Sequence, residues 1–289
     1  MSRTPLLSFE FFPPKTPEME THLWRAVKQL EPLAPRFVSV TYGAGGTTRE
    51  RTHATVARIR RETRLEPAAH LTCVGASRTD VDAVARRYWA AGIHHVVALR
   101  GDPPAGSGGY QPHAEGYLRA VDLVAGLKRV ADFEINVAAY PEIHPEATSA
   151  QSDLDALKRK IDAGAARAIT QFFFDAAAFL RFLDRARSAG ITVPIVPGIL
   201  PIGNFSQVKR FAALCGASIP AWLAARFEGL DEDPAGRAHA AIETASALCR
   251  QLGDAGIDEI HFYTLNRADL VLAIAEEIGV RAASVAMGE

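Results

Sequence analysis

The chain has 289 residues, 48% of them hydrophobic, enough for a large core and only slightly more than the roughly 250 of a single (β/α)8 barrel. Its formal charge is −1, with 32 Lys+Arg mixed among 33 Asp+Glu, which excludes a basic face for nucleic acid or an anionic membrane surface. Cys73, Cys215 and Cys249 form no CxxC pair and read as buried thiols in a reducing compartment, and no signal peptide or membrane-spanning run is found, so a soluble cytoplasmic protein is expected.

Eight short β-rich runs are read in order: Leu6–Phe12, Phe37–Gly43, Ala69–Gly75, His94–Asp102, Ile135–Pro141, Ala168–Asp175, Pro194–Pro201 and Glu259–Asn266. Most are continuously apolar, as in parallel strands covered by helices. Helical periodicity fills the gaps, as in Met19–Leu30, Asp80–Ala91, Leu154–Ala163 and Ala176–Ala189. Gly92, Gly164, Gly190 and Gly256 each follow a helix and precede a strand, where a left-handed cap is needed. Strand, helix, glycine, strand repeated eight times predicts an α/β fold, a (β/α)8 TIM barrel, as a single catalytic domain over residues 1–289 with extra helical segments before the last strand. No GxGxxG follows the first strand, and Gly43-Ala44-Gly45-Gly46 reads equally as a phosphate loop or a tight turn.

In such a barrel the chemistry stands at the C-terminal ends of the strands. The first run places Glu10 among Phe9, Phe11 and Phe12, where burial should raise its pKa toward that of a general acid; the plainer alternative is a strand-end Glu paired with Arg or Lys. The other ends carry Thr41-Tyr42, His70, Arg100-Gly101-Asp102, Tyr140, Gln171 and Tyr263 through Arg267. His70 alone reads as a core histidine. A metal site at His70, His94, His95 and His144 is rejected, because no His-x-His or carboxylate cluster has ligand spacing. Arg100 beside Asp102 is either chemical or a plain ion pair. Tyr140-Pro-Glu-Ile-His144-Pro-Glu146 is a proline-stiffened loop built to position something. On the next helix, Asp153, Arg159 and Lys160 suit either a pyrophosphate or a solvated face.

Together, Ser8-Phe-Glu-Phe-Phe-Pro-Pro-Lys15, Phe37-Val-Ser-Val-Thr-Tyr-Gly43, His70-Leu-Thr-Cys73, Ala98-Leu-Arg-Gly-Asp102, Ala139-Tyr-Pro-Glu142, Ile169-Thr-Gln-Phe-Phe-Phe-Asp175, Pro197-Gly-Ile-Leu-Pro201 and His261-Phe-Tyr-Thr-Leu-Asn266 resemble the bacterial 5,10-methylenetetrahydrofolate reductases. The resemblance runs from about Ser8 to Gly279 and implies an FAD-containing barrel without a regulatory domain. It implies reduction of methylenetetrahydrofolate to 5-methyltetrahydrofolate with NADH or NADPH, in a ping-pong cycle through the flavin. It assigns Glu10 as general acid and Asp102 as the charge opposite the substrate cation. Thr41, Asp102, Gln171, Gln207, Phe211 and Arg267 fall on the substrate side. Tyr42, Ala44, His70, Arg100, Gly101, Asp102, Tyr140, His144, Asp153, Arg159 and Lys160 fall on the FAD side. Two positions depart from the family pattern: Ala156 replaces a polar contact, and an aromatic is missing near Arg119, for which Tyr110 or Tyr117 would substitute. Two other readings stand beside this one, a flavin-free reductase with direct hydride transfer and a non-redox folate-binding barrel; a homo-oligomer is left open.

Overall fold

The computed structural model describes residues 4–42, 48–102 and 110–282. Strands β1 (Leu6–Phe11), β2 (Val38–Val40), β3 (Pro67–Thr72), β4 (His95–Leu99), β5 (Glu134–Ala139), β6 (Arg167–Thr170), β7 (Ile195–Val196), β8 (Gly198–Ile199) and β9 (Glu259–Tyr263) all pair in parallel. The sheet order is β7-β6-β5-β4-β3-β2-β1-β9-β8. The two ends of that order are the halves of one run, interrupted at Pro197, whose ring nitrogen has no hydrogen to donate. Its carbonyl still accepts from His261 N at 3.0 Å, so the ring closes as the eight-stranded barrel expected from the sequence.

Helices α1 (Pro17–Leu30), α2 (Arg49–Glu62), α3 (Arg78–Ala90), α4 (Ala120–Val130), α5 (Ala150–Asp162), α6 (Ala176–Ser188), α7 (Phe205–Cys215), α8 (Ala221–Phe227), α9 (Pro234–Asp254) and α10 (Ala268–Glu277) are those formed among the described residues. Each amphipathic helix turns one stripe to the strands; on α1 it is Leu23, Ala26, Val27 and Leu30, spaced for a single face. The ends are set locally. Thr16, Ser77, Ser149, Asp175, Asn204 and Asp233 cap helix starts with their side chains, and the four glycines named above take φ of 74°, 113°, 78° and 87°. Among the described residues no helix is long and apolar enough to cross a membrane.

The main core lies between strands and helices, and the barrel interior is different. Its apolar filling is small, with Phe37, Ala68, Val97 and Ile169 clustered together. Around them Ser8, Ser39, His70, Asn136, Arg167 and His261 are buried polar groups. At the N-terminal end Arg167, only 3% exposed, pairs with Glu134 at 2.6 Å and Glu259 at 3.2 Å, closing that end with a charged plug.

Candidate active site

Parallel pairing places Ser8 opposite His261, and Glu10 opposite both Ser39 and Tyr263, so alternate residues of β1 and β9 face the interior together. Tyr263 fits against β8 only because Gly198 has no side chain: an added Cβ would lie 2.2 Å from Thr170 O and 2.6 Å from the Tyr263 ring. Tyr263 Oη instead donates to Thr170 O at 2.7 Å. Glu10 Oε2 then stands 3.2 Å from His70 Nε2 and 3.8 Å from His261 Nε2, and a hydrogen bond of 2.8 Å links His261 Nδ1 with Ser8 Oγ. Neither Nε2 makes an aligned hydrogen bond to the carboxylate, so the attraction is chiefly between charges.

This corrects the expected acidity of Glu10. Burial pushes its pKa up, as the flanking phenylalanines suggested, but the imidazoles of His70 and His261 beside it outweigh burial and bring it down to about 2. The partners are imidazoles, not the Arg or Lys of the plainer reading. At neutral pH the Glu10 carboxyl is therefore ionised, facing the two imidazoles beside it. His261 was missed in sequence as a partner. The signal was there in the two-residue spacings Ser8/Glu10 and His261/Tyr263, but the adjacency of first and last strands was needed to join them.

The cluster forms part of the floor of a cleft of about 1130 Å³, more than the roughly 300–1,000 Å³ of an ordinary small-molecule pocket. Thr41, Tyr42, His70, Asp102, Tyr140, Gln171 and Phe211 line it with Glu10. Its bed is apolar, made by Val97, Leu99, Val137 and Ile169. Phe211 is shared with a side pocket of about 240 Å³ that also contains Gln207 and Arg267. Each of the six residues expected on the substrate side lines one or both of these two pockets. Tyr42 Oη is buried, has Arg49 beside it, and makes no well-formed hydrogen bond, which leaves a polar atom for a ligand.

The remaining expected residues Arg100, Gly101, His144, Asp153, Arg159 and Lys160 follow β4 and β5 and do not themselves line the cleft. His144 packs edge-on against Tyr140 at 4.6 Å, and its backbone N–H donates to Asp153 at 3.0 Å. The preceding Ile143 has φ of 119°, an uncommon conformation for a β-branched residue. Lys160 Nζ donates to Ala138 O, and burial lowers its pKa to about 8 against the pull of Asp153. Arg159 is exposed on the same helix and points away from Lys160, so the two do not act as one cationic patch. Gly101 takes φ of 85°, with Val74 and Thr72 crowding the place of a Cβ. Ala44 lies outside the described residues.

Two further readings change. Arg100 does not pair with Asp102; its guanidinium grips both carboxylate oxygens of Glu146 and lies 4.5 Å over the Tyr110 ring, leaving Asp102 exposed in the cleft. Tyr117 does not take the place of the missing aromatic, since it is buried against Gly126 and donates to Asp82 at 2.8 Å. Tyr110 remains beside Arg100.

The family model described as methylenetetrahydrofolate reductase matches residues 2–279. The chain belongs to this family. It is a family of oxidoreductases. The 5,10-methylenetetrahydrofolate reductases of Salmonella typhimurium and Escherichia coli are each 54% identical over 275 residues, covering 95% of this chain and 91% of theirs. An Arabidopsis thaliana relative named methylenetetrahydrofolate reductase (NADH) 1 is 38% identical across 94% of this chain and 48% of its own length. In structure, a protein from Clostridium thermocellum described as binding two copies of 5-methyl-5,6,7,8-tetrahydrofolic acid superposes with a TM-score of 0.62. It covers 96% of this chain and 95% of its own, and at 14% identity the likeness is one of fold.

Proposed function

We propose that this barrel reduces 5,10-methylenetetrahydrofolate to 5-methyltetrahydrofolate with electrons from NADH or NADPH, passed in a ping-pong cycle through a bound FAD. The observation that carries the reading is the placement of Glu10, Asp102 and Gln171 around one cleft with an apolar bed, since a cationic folate intermediate needs a proton route and a fixed negative charge side by side. The residues suit a flavin: the bed accepts a flat ring, Tyr42 Oη lacks a well-formed hydrogen bond, and Lys160 holds a cation on α5. FAD supplies the hydride store between the two substrates.

The protein's own groups do the rest. Tyr42, His70, Tyr140, His144, Asp153 and Lys160 would hold and orient the cofactor. Gln171 and Thr41 hold the pterin, and Phe211 covers it from α7. A proton passes from the His70–His261 pair through Glu10 to the bridging nitrogen of the folate, the carbon–nitrogen bond opens, and the remaining iminium faces the Asp102 carboxylate. Hydride addition to that iminium gives the methyl product.

Absorbance spectra of the purified protein under anaerobic conditions test this. A flavin band should bleach with NADH or NADPH and return on addition of methylenetetrahydrofolate. A colourless protein that still consumes NADH with folate would replace the flavin cycle by direct transfer, and no folate-dependent oxidation would overturn the reading.

A further inference from the structure

The cleft is charged unevenly. Glu10 and Asp102 stand at the strand ends, whereas Lys15, His22 and Arg51 line the same cleft from the segment entering α1, from α1 itself and from the start of α2. On these two helices Lys28 pairs with Glu31, Arg58 with Glu20 and Glu62, Arg60 with Glu66, and Arg61 with Glu62, while Arg25 and Arg49 have no ion pair among the described residues but do not line the cleft. Lys15, His22 and Arg51 have no ion-pair partner among the described residues and are exposed. Glu18, the acid on the same wall, is engaged by Thr16.

We propose that Lys15, His22 and Arg51 form an anion subsite at the mouth of the cleft that takes the polyanionic arm of a substrate. Cations on one wall of a concave site concentrate and orient an anion more strongly than the same charges on a flat surface. The acidic floor and basic mouth together favour a molecule whose reacting end becomes cationic and whose tail is anionic. A folate extended by further γ-linked glutamates has that polarity, and the diphosphate of a nicotinamide nucleotide offers the same chemistry at its arm. The assignment rests on the reductase reading for the head group, while the subsite itself is defined by its charge.

The test is the double variant Lys15→Met/Arg51→Met of the holoenzyme, assayed with NADH, with monoglutamyl methylenetetrahydrofolate and with its oligo-γ-glutamyl form. KM for the ligand whose arm is read should rise about three- to tenfold, the range expected for two solvent-exposed charge contacts, with kcat within about twofold. The difference should fade with added salt. A rise confined to the oligo-γ-glutamyl folate identifies the carboxylate tail as occupant, and a rise confined to NADH identifies the diphosphate. The charge-conserving variant Lys15→Arg/Arg51→Lys should keep the wild-type values. Unchanged KM for both ligands at low salt, or equal losses in the two double variants, overturns the subsite. Wild-type turnover of the monoglutamyl substrate reports on the reductase reading by itself, and dissociation constants of the same ligands, followed by tryptophan fluorescence, test the subsite even where turnover is absent.

Discussion

Replacing Glu10 by Gln keeps the size of the side chain and removes its ability to pass a proton. The carboxyl is depressed from 4.5 to about 2, which corresponds to about 3 kcal/mol of native-state stability. Glutamine forfeits at most that much, a tolerable loss against a typical total of about 5–15 kcal/mol, so the variant should fold and keep its cofactor. The chemical effect is larger. A positioned proton donor is worth about 10²–10⁴ in rate, or roughly 3–5 kcal/mol of barrier. Only the folate half-reaction needs that proton. In anaerobic stopped-flow measurements on the flavin, Glu10→Gln should therefore be reduced by NADH at nearly the wild-type rate and reoxidised by methylenetetrahydrofolate at least about a hundredfold more slowly. A folate half-reaction within tenfold of wild type would refute the proton route, and equal losses in both halves would mark Glu10 as a structural ion-pair residue.

Other outcomes follow from the same geometry. A depressed carboxyl binds fewer protons folded than unfolded, so the Glu10 contribution is full above pH 4.5 and lost as pH falls to about 2; urea titrations should show the stability gap between wild type and Glu10→Gln closing over that window. Arg167→Met leaves Glu134 and Glu259 without their buried cation and should cost about 3–5 kcal/mol in chemical denaturation; a loss under about 1 kcal/mol would show the plug to be dispensable. Gly198→Ala forces a methyl into Thr170 O and the Tyr263 ring and should destabilise by about 1–3 kcal/mol, seen as a lowered Tm. Lys160 loses its proton as pH rises through about 8, so flavin retention on gel filtration should fall across that range in wild type. Lys160→Met should abolish the pH dependence, and Arg159→Ala should leave it intact.

The sequence by itself determined the architecture, because what specifies it is local. Continuous apolar runs such as Val96-Val97-Ala98-Leu99, helical stripes such as Leu23, Ala26, Val27 and Leu30, and glycines at Gly92 and Gly190 are each readable within a few residues. Glu10 was conspicuous for the same reason, a carboxylate inside an aromatic strand. What it does was decided elsewhere. Ser8 and His261, 253 positions apart, meet only because the first and last strands pair, and that meeting, with His70, reversed the direction of the Glu10 shift. Arg100 took Glu146 from a later loop instead of Asp102 two residues away, and Tyr117 turned into the packing beside Gly126. Strand and helix formation follow from hydrogen bonding and apolar periodicity along the chain, whereas burial, charge partners and pKa depend on what barrel closure brings across the interior.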